Sequence, residues 1–162
     1  VVVTRKDLWN QRRLFNLSKI KARNLKLNDK HLKNRSIAIK YYKYLIPTVY
    51  REFYGIIGLF RYFNALIIGL FRPIYRQVTK SDMRVVAHKS SALAAQNFML
   101  SMRSNGYDTC PMEGFDSLRV KKTLSLPRSA EINMIISCGI RDEKGIYGDQ
   151  IRVPFDEIYF KK

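Results

Sequence analysis

The chain opens on a β-branched run, Val1 to Val3, that continues into Thr4 and reads as the end of a buried strand. Buried backbone donors and acceptors need partners, so the run is expected to lie between neighbouring strands, with residues upstream of Val1 completing the sheet. From Arg5 to Arg35 the pattern turns polar and basic, and Leu8, Trp9, Leu14, Phe15, Leu17 and Ile20 recur at helical but irregular spacing. From Ile37 to Arg76 it becomes aromatic and apolar, studded with Lys43, Arg51, Arg61, Arg72 and Arg76 and punctuated by Pro47 and Pro73. Its densest part, Gly55 to Phe71, is shorter than the roughly 20 apolar residues of a membrane span and is interrupted by Arg61 and Asn64. Interfacial contact and burial both stay open for it.

A long helix is predicted next. Ser81 or Asp82 can accept hydrogen bonds from the first free amides as an N-cap, and Gly106 supplies the stop. Between them Met83, Val86, Ser90, Leu93, Ala94, Asn97 and Phe98 repeat at three- and four-residue steps. Ser90, Ser91, Ala92, Ala94 and Ala95 keep the middle slim, so a second helix can pack close. After Gly106 the pattern gives a short strand, Tyr107 to Cys110, then the turn Pro111-Met112-Glu113-Gly114-Phe115. Asp116 or Ser117 caps a short helix to Leu124, and Ile132 to Gly139 reads as a fully buried strand. Glycines 139, 145 and 148 mark a loop, and Arg152 to Phe160 reads as an extended tail docked on the body.

Composition sharpens this only in places. Of 162 residues, 46% are hydrophobic, the proportion of a chain that builds a core rather than a disordered one. The net charge of +17 invites a polyanion, but residues 1–80 hold 18 Lys and Arg against 3 Asp and Glu, whereas residues 81–162 hold 12 against 10. The excess belongs to one half, and its interleaved aromatics suit an anionic membrane surface or nucleic acid. The same stretch could instead cap a substrate pocket or wrap a partner subunit, and nucleic acid is the disfavoured partner. Cys110 and Cys138 show neither C-x-x-C spacing nor a nearby His, which argues against a zinc site or a disulfide framework and fits a reducing cytoplasm. Cys110, with no adjacent cation, is expected to be a packed thiol. His88, on the long helix with no carboxylate or thiol partner in its vicinity along the chain, is expected to be structural or solvated. Walker, G-x-G-x-x-G, H-E-x-x-H and G-x-S-x-G motifs are absent, so catalysis by side chains alone is not indicated.

Leu93-Ala94-Ala95-Gln96-Asn97-Phe98-Met99-Leu100, Gly106, Pro111-Met112-Glu113-Gly114-Phe115-Asp116 and Arg152-Val153-Pro154 together resemble, in order and spacing, the C-terminal half of nitroreductase-family flavoproteins. The likeness covers about half of the chain. A weaker one sets Val1 to Val3 at that family's central strand, so that residues 5–80 form a basic, aromatic helical excursion and residues 81–162 the flavin-binding portion of a single incomplete domain. The resemblance implies an α+β fold, a sheet flanked by helices, in which two subunits pack as a homodimer through long central helices with FMN at their interface. It implies a ping-pong cycle in which NAD(P)H is the reductant and a nitroaromatic, quinone or similar small molecule is the electron acceptor. The flavin carries the chemistry, and the protein supplies orientation and electrostatics.

By the same resemblance, the amides of Glu113 and Gly114 face the ring edge, Pro111 and Met112 line the ring, and Arg152 binds the phosphate. A tight turn suits the first role, since backbone N–H groups reach flavin acceptors without a side chain intervening. A planar guanidinium suits the last. Gln150 stands where many relatives carry a lysine or other polar phosphate contact. The family's N-terminal R-x-S-x-R phosphate pattern has no counterpart in these residues, so the chain by itself is expected to bind FMN weakly or not at all.

Overall fold

The computed structural model describes residues 1–23, 29–145, 148–149 and 151–161. Three antiparallel strands form a sheet in the order β1 (Val2–Thr4), β3 (Glu131–Gly139), β2 (Asp108–Met112). Val3 pairs with Ile132 and Thr4 with Glu131, with a slip in register between Val2 and Val3, while β2 pairs from Asp108–Gly139 to Met112–Ile135. Among the described residues β1 is therefore an edge strand, not one flanked on both sides.

The long helix, α5 (Lys80–Ser104), lies across all three strands. Thr4 bonds through its hydroxyl to Ser91 at 2.8 Å, and Glu131 and Asn133 both reach His88, so these residues mark the sheet face under the helix. Strand alternation then sends Val3, Ile132, Met134 and Ile136 to the other face. The fully buried strand expected at 132–139 is corrected by this arrangement. β3 is half-buried from Glu131 to Ile136 and exposed from Ser137 to Gly139, because α5 covers only one of its faces.

The cap of α5 is also not where the sequence placed it. Thr79, rather than Ser81 or Asp82, is the N-cap. Its hydroxyl accepts from the Asp82 amide at 3.2 Å, and the Asp82 carboxylate accepts from the Thr79 amide at 3.0 Å. Such reciprocal bonding satisfies two orphan donors at once, which a lone cap at Ser81 or Asp82 does not. At the other end Gly106 takes φ +84°, the left-handed geometry that ends helices, and Tyr107 donates back to Met102 O. Met83 and Ala95 are the buried residues of α5, joined in the core by Ala65, Ala130 and Thr4.

Between β1 and α5 the described residues form a series of helices. α1 (Trp9–Ala22) buries no residue, and α2 (Asp29–Lys40) runs through a π-helical turn, Tyr41–Leu45, into α3 (Ile46–Tyr50). These helices are pinned by Trp9 stacked on Tyr50 at 6.0 Å and by Arg13 donating to Tyr42 O. α4 (Ile56–Ile68) buries only Gly58 and Ala65. A Cβ on Gly58 would lie 3.0 Å from the Lys80 amide nitrogen, so glycine is what allows α4 to approach the start of α5.

Past β2, Asp116 caps α6 (Ser117–Thr123) by accepting from the amides of Leu118 and Arg119, as its position predicts. The tail differs from its prediction. Residues 155–158 form one helical turn, α7 (Phe155–Ile158), and Ile151, Val153, Phe155, Ile158, Tyr159 and Phe160 are exposed instead of docked. Pro154 starts the turn, and Phe155 stacks on Tyr159 at 5.0 Å within it. No helix among the described residues is long and apolar enough to cross a membrane.

Candidate functional site

The Pro111–Gly114 segment leaves the sheet at an edge. β2 continues two residues further than its sequence suggests, so that Pro111 stands opposite Ile136 and Met112 opposite Ile135. Proline lacks a ladder donor and is tolerated here because β2 is the outer strand. Glu113 and Gly114 lie beyond the last ladder pair, and among the described residues neither amide donates in a turn or loop hydrogen bond. Phe115 N donates to Glu113 O at 3.0 Å, closing the turn before the Asp116 cap. Residues 110–114 are exposed, and a Cβ built on Gly114 meets no atom within 4 Å. The result is a short stretch of backbone with free donors that an external planar group can approach.

The other expected contacts are not gathered there. Arg152 is exposed and donates to the carbonyl of its neighbour Ile151 at 2.8 Å; among the described residues no hydrogen bond or ion pair links it to the 111–114 turn. Gln150 lies outside the described residues. The main-chain donors of Glu113 and Gly114 are thus open to an external acceptor, and among the described residues Arg152 is not brought beside them. Cys110 is exposed rather than packed, since it sits on the outer strand. It pairs with Ser137 and Cys138 with Thr109, so alternation directs the two thiols to opposite faces of the sheet. Among the described residues no group of three or more His, Cys, Asp or Glu side chains is placed to hold a metal ion.

One polar cluster escaped the sequence reading. His88 does have a carboxylate partner: its Nε2 lies 2.9 Å from Glu131 Oε2, and its Nδ1 lies 3.1 Å from Asn133 Nδ2. The Asn133 amide also donates to the His88 backbone carbonyl at 3.1 Å, so the ring is held between Asn133 and Glu131. Lys6 Nζ lies 3.2 Å from the same carboxylate, and Arg84 also bonds to it. Partial burial pushes the Glu131 carboxyl up, yet the bonds from His88, Lys6 and Arg84 outweigh that and hold it down at about 2. The cluster ties the turn after β1, the helix and β3 together. Arg84 and His88 share a helix face four residues apart, and Glu131 and Asn133 share a strand face; which faces meet is decided only by the fold.

A cleft of about 680 Å³ opens elsewhere, between the end of β1, α1, the π-helical turn and α5. Arg12, Arg13, Trp9 and Tyr42 are among its walls, and among the described residues none of those singled out for flavin contact lines it. Of its cations, Arg5 is engaged by Asp7 and Lys6 by Glu131.

Comparison with known proteins agrees with this architecture. MhqN of Bacillus subtilis, whose name is that of an NAD(P)H nitroreductase, is 43% identical over 53 residues, a match spanning 33% of this chain and 26% of MhqN. Protein DrgA of Synechocystis is 40% identical over 57 residues, 35% of this chain and 27% of DrgA. The matched stretches thus amount to about a quarter of these relatives' length. In fold, the nitroreductase ydfN of Bacillus subtilis superposes with a TM-score of 0.59 at 20% identity, covering 99% of this chain and 61% of that one. A nitroreductase structure from Exiguobacterium sibiricum in complex with FMN gives 0.50 at 17% identity, over 97% and 57% of the two chains. The nitroreductase family model matches residues 18–140, most of the chain, and with the strand order, the long helix and the edge turn already described, this protein belongs to the nitroreductase family.

Proposed function

We propose that this chain contributes the ring-edge contacts of an FMN-dependent NAD(P)H oxidoreductase. The enzyme works as a cytoplasmic homodimer that passes hydride by a ping-pong cycle to a nitroaromatic, quinone or similar acceptor. The observation that carries the reading is the Glu113–Gly114 turn, whose amides are free of turn and loop bonds, whose Gly114 is open on its side-chain side, and whose strand ends at an exposed edge. FMN, when bound, supplies the two-electron chemistry.

The roles left to the residues are positional. Glu113 and Gly114 present main-chain donors to the ring edge, where negative charge grows on reduction, and such preorganised donors are worth more in a water-poor site than in bulk solvent. Met112, exposed at the end of β2, offers an apolar and adaptable surface to the ring, and Pro111 stiffens the strand beneath it. Arg152 supplies a phosphate fork once the tail is ordered against the site, with Gln150 as a neutral second contact. The exposed stripe of Leu93, Asn97 and Leu100 on α5, at four- and three-residue steps, supports close packing of a second copy's helix.

The test is an FMN titration, read by absorbance and flavin fluorescence, on this chain and on whatever longer form its gene encodes, each with and without Gly114→Val. A side chain at Gly114 meets no protein atom, so the variant keeps its fold and loses at least about tenfold in FMN affinity by blocking the ring's approach. Failure of every form to bind flavin, or binding that is equally tight with valine at 114, refutes the proposal.

A further inference from the structure

On α4 the usual arrangement of a surface helix is inverted. Arg61 points inward and donates to Thr48 O at 2.8 Å, Arg51 O at 2.9 Å, Val78 O at 3.1 Å and the Glu52 carboxylate. Ile56, Leu59, Phe60, Phe63 and Ile67, spaced by three and four residues along one side of the helix, are 54–70% exposed. No charged residue interrupts that stripe. It continues past the helix into Leu70 and Phe71 and is preceded by Phe53 and Tyr54, all of them exposed. A contiguous apolar face of this kind is covered by something in the working protein.

What covers it must tolerate the charge around it. Residues 1–80 carry 18 Lys and Arg against 3 Asp and Glu, and Arg51 and Arg72 stand exposed just beyond the two ends of the stripe. Two copies meeting through this region would bring like charge onto like charge, whereas an anionic surface neutralises it. At 13 residues α4 is about 20 Å long, short of the roughly 30 Å of a hydrocarbon core. It is therefore too short to cross a bilayer. We propose that α4, with Phe53–Tyr54 and Leu70–Phe71, seats the protein on an anionic lipid bilayer, the stripe resting at the boundary between headgroups and acyl chains. Arg51 and Arg72 reach the phosphates while their stems stay in apolar surroundings. This surface is independent of the flavin-contact turn, so neither proposal stands or falls with the other.

The experiment is flotation of the full chain with vesicles of phosphatidylcholine, with and without phosphatidylserine, at low and high salt. The wild type is expected to float with the serine-containing vesicles at low salt and to be released on the order of tenfold by high salt or neutral lipid. The double variant Phe60→Ser/Phe63→Ser, which alters two exposed side chains, is expected to lose on the order of a hundredfold in association. Phe60→Trp, a conservative change read against the native Trp9 signal, reports depth directly: a blue shift of the added indole and its quenching by brominated acyl chains are expected on binding. Failure of the wild type to float at low salt overturns the proposal. So does undiminished flotation of a folded serine variant, which would show charge acting alone, or an added indole in Phe60→Trp that stays unquenched. Sedimentation supplies the remaining outcome: a self-associated wild type that the serine pair disperses, without lipid binding, assigns the stripe to a second copy and overturns the bilayer.

Discussion

Replacing Glu131 with glutamine removes one negative charge at the junction of three elements and leaves the size of the side chain almost unchanged. In the folded chain the carboxyl is held from its ordinary 4.5 down to about 2 by His88, Lys6 and Arg84 acting against its own burial. At about 1.4 kcal/mol for each tenfold change in acidity, that displacement sets an upper bound of about 3 kcal/mol. Glu131 and His88 are roughly four-fifths covered, but Arg84 is more than half exposed, and solvent screening reduces the contribution to about 1–2 kcal/mol. The folded pKa lies below the unfolded one, so this stability is fully present above pH 4.5 and is lost as the pH falls towards 2. Urea unfolding followed by circular dichroism is the assay. At pH 7 the midpoint of Glu131→Gln is expected to fall by about 0.5–1 M relative to wild type. At pH 3 the gap is expected to shrink to less than about half, because the wild type is by then surrendering the same interaction. An equal gap at both pH values, or none at pH 7, refutes the reasoning and makes the cluster incidental.

Three further outcomes follow from the geometry. Thr79→Ala breaks the reciprocal cap of α5 and is expected to cost about 1 kcal/mol, lowering Tm by roughly 2–4 °C in a thermal melt, while an unchanged melt would show the cap to be redundant. Ala95→Leu forces a larger side chain into the buried side of α5, where Ala95 is 1% exposed, and is expected to destabilise by about 1–3 kcal/mol in the same assay; a neutral result would mean the helix–sheet contact is loose. Both cysteines are exposed and face opposite sides of the sheet, so both thiols of the native protein should react with a thiol reagent without prior reduction, and protection of either before unfolding would contradict the register of β2 and β3.

Features set within a few residues were legible in the sequence. Gly106 ends α5 because only a residue at ease with positive φ can turn there, and Asp116 caps α6 because its short carboxylate reaches amides two and three residues on. The apolar run at 132–139 reads as a strand and is one, and the motifs from Leu93 to Asp116 lie within the stretch that matches the family. Even locally there was a miss: Thr79-x-x-Asp82 is a capping signature, but Ser81 and Asp82 compete for the same role in isolation.

The remaining features depend on what approaches from far along the chain. His88 acquired a carboxylate 43 residues away, and β2 ran on through Pro111 because it lies at the sheet's edge. β3 is half-covered because α5 occupies one face, and α4 turns Arg61 inward because carbonyls from Thr48, Arg51 and Val78 converge on it, leaving Phe60 and Phe63 outside. Periodicity tells which residues share a face, since that follows from the geometry of one helix or strand. It does not tell what that face meets, because the partner is chosen by the packing of all elements together; here that choice fixed the His88–Glu131 clamp, the open turn at Gly114 and the apolar stripe of α4.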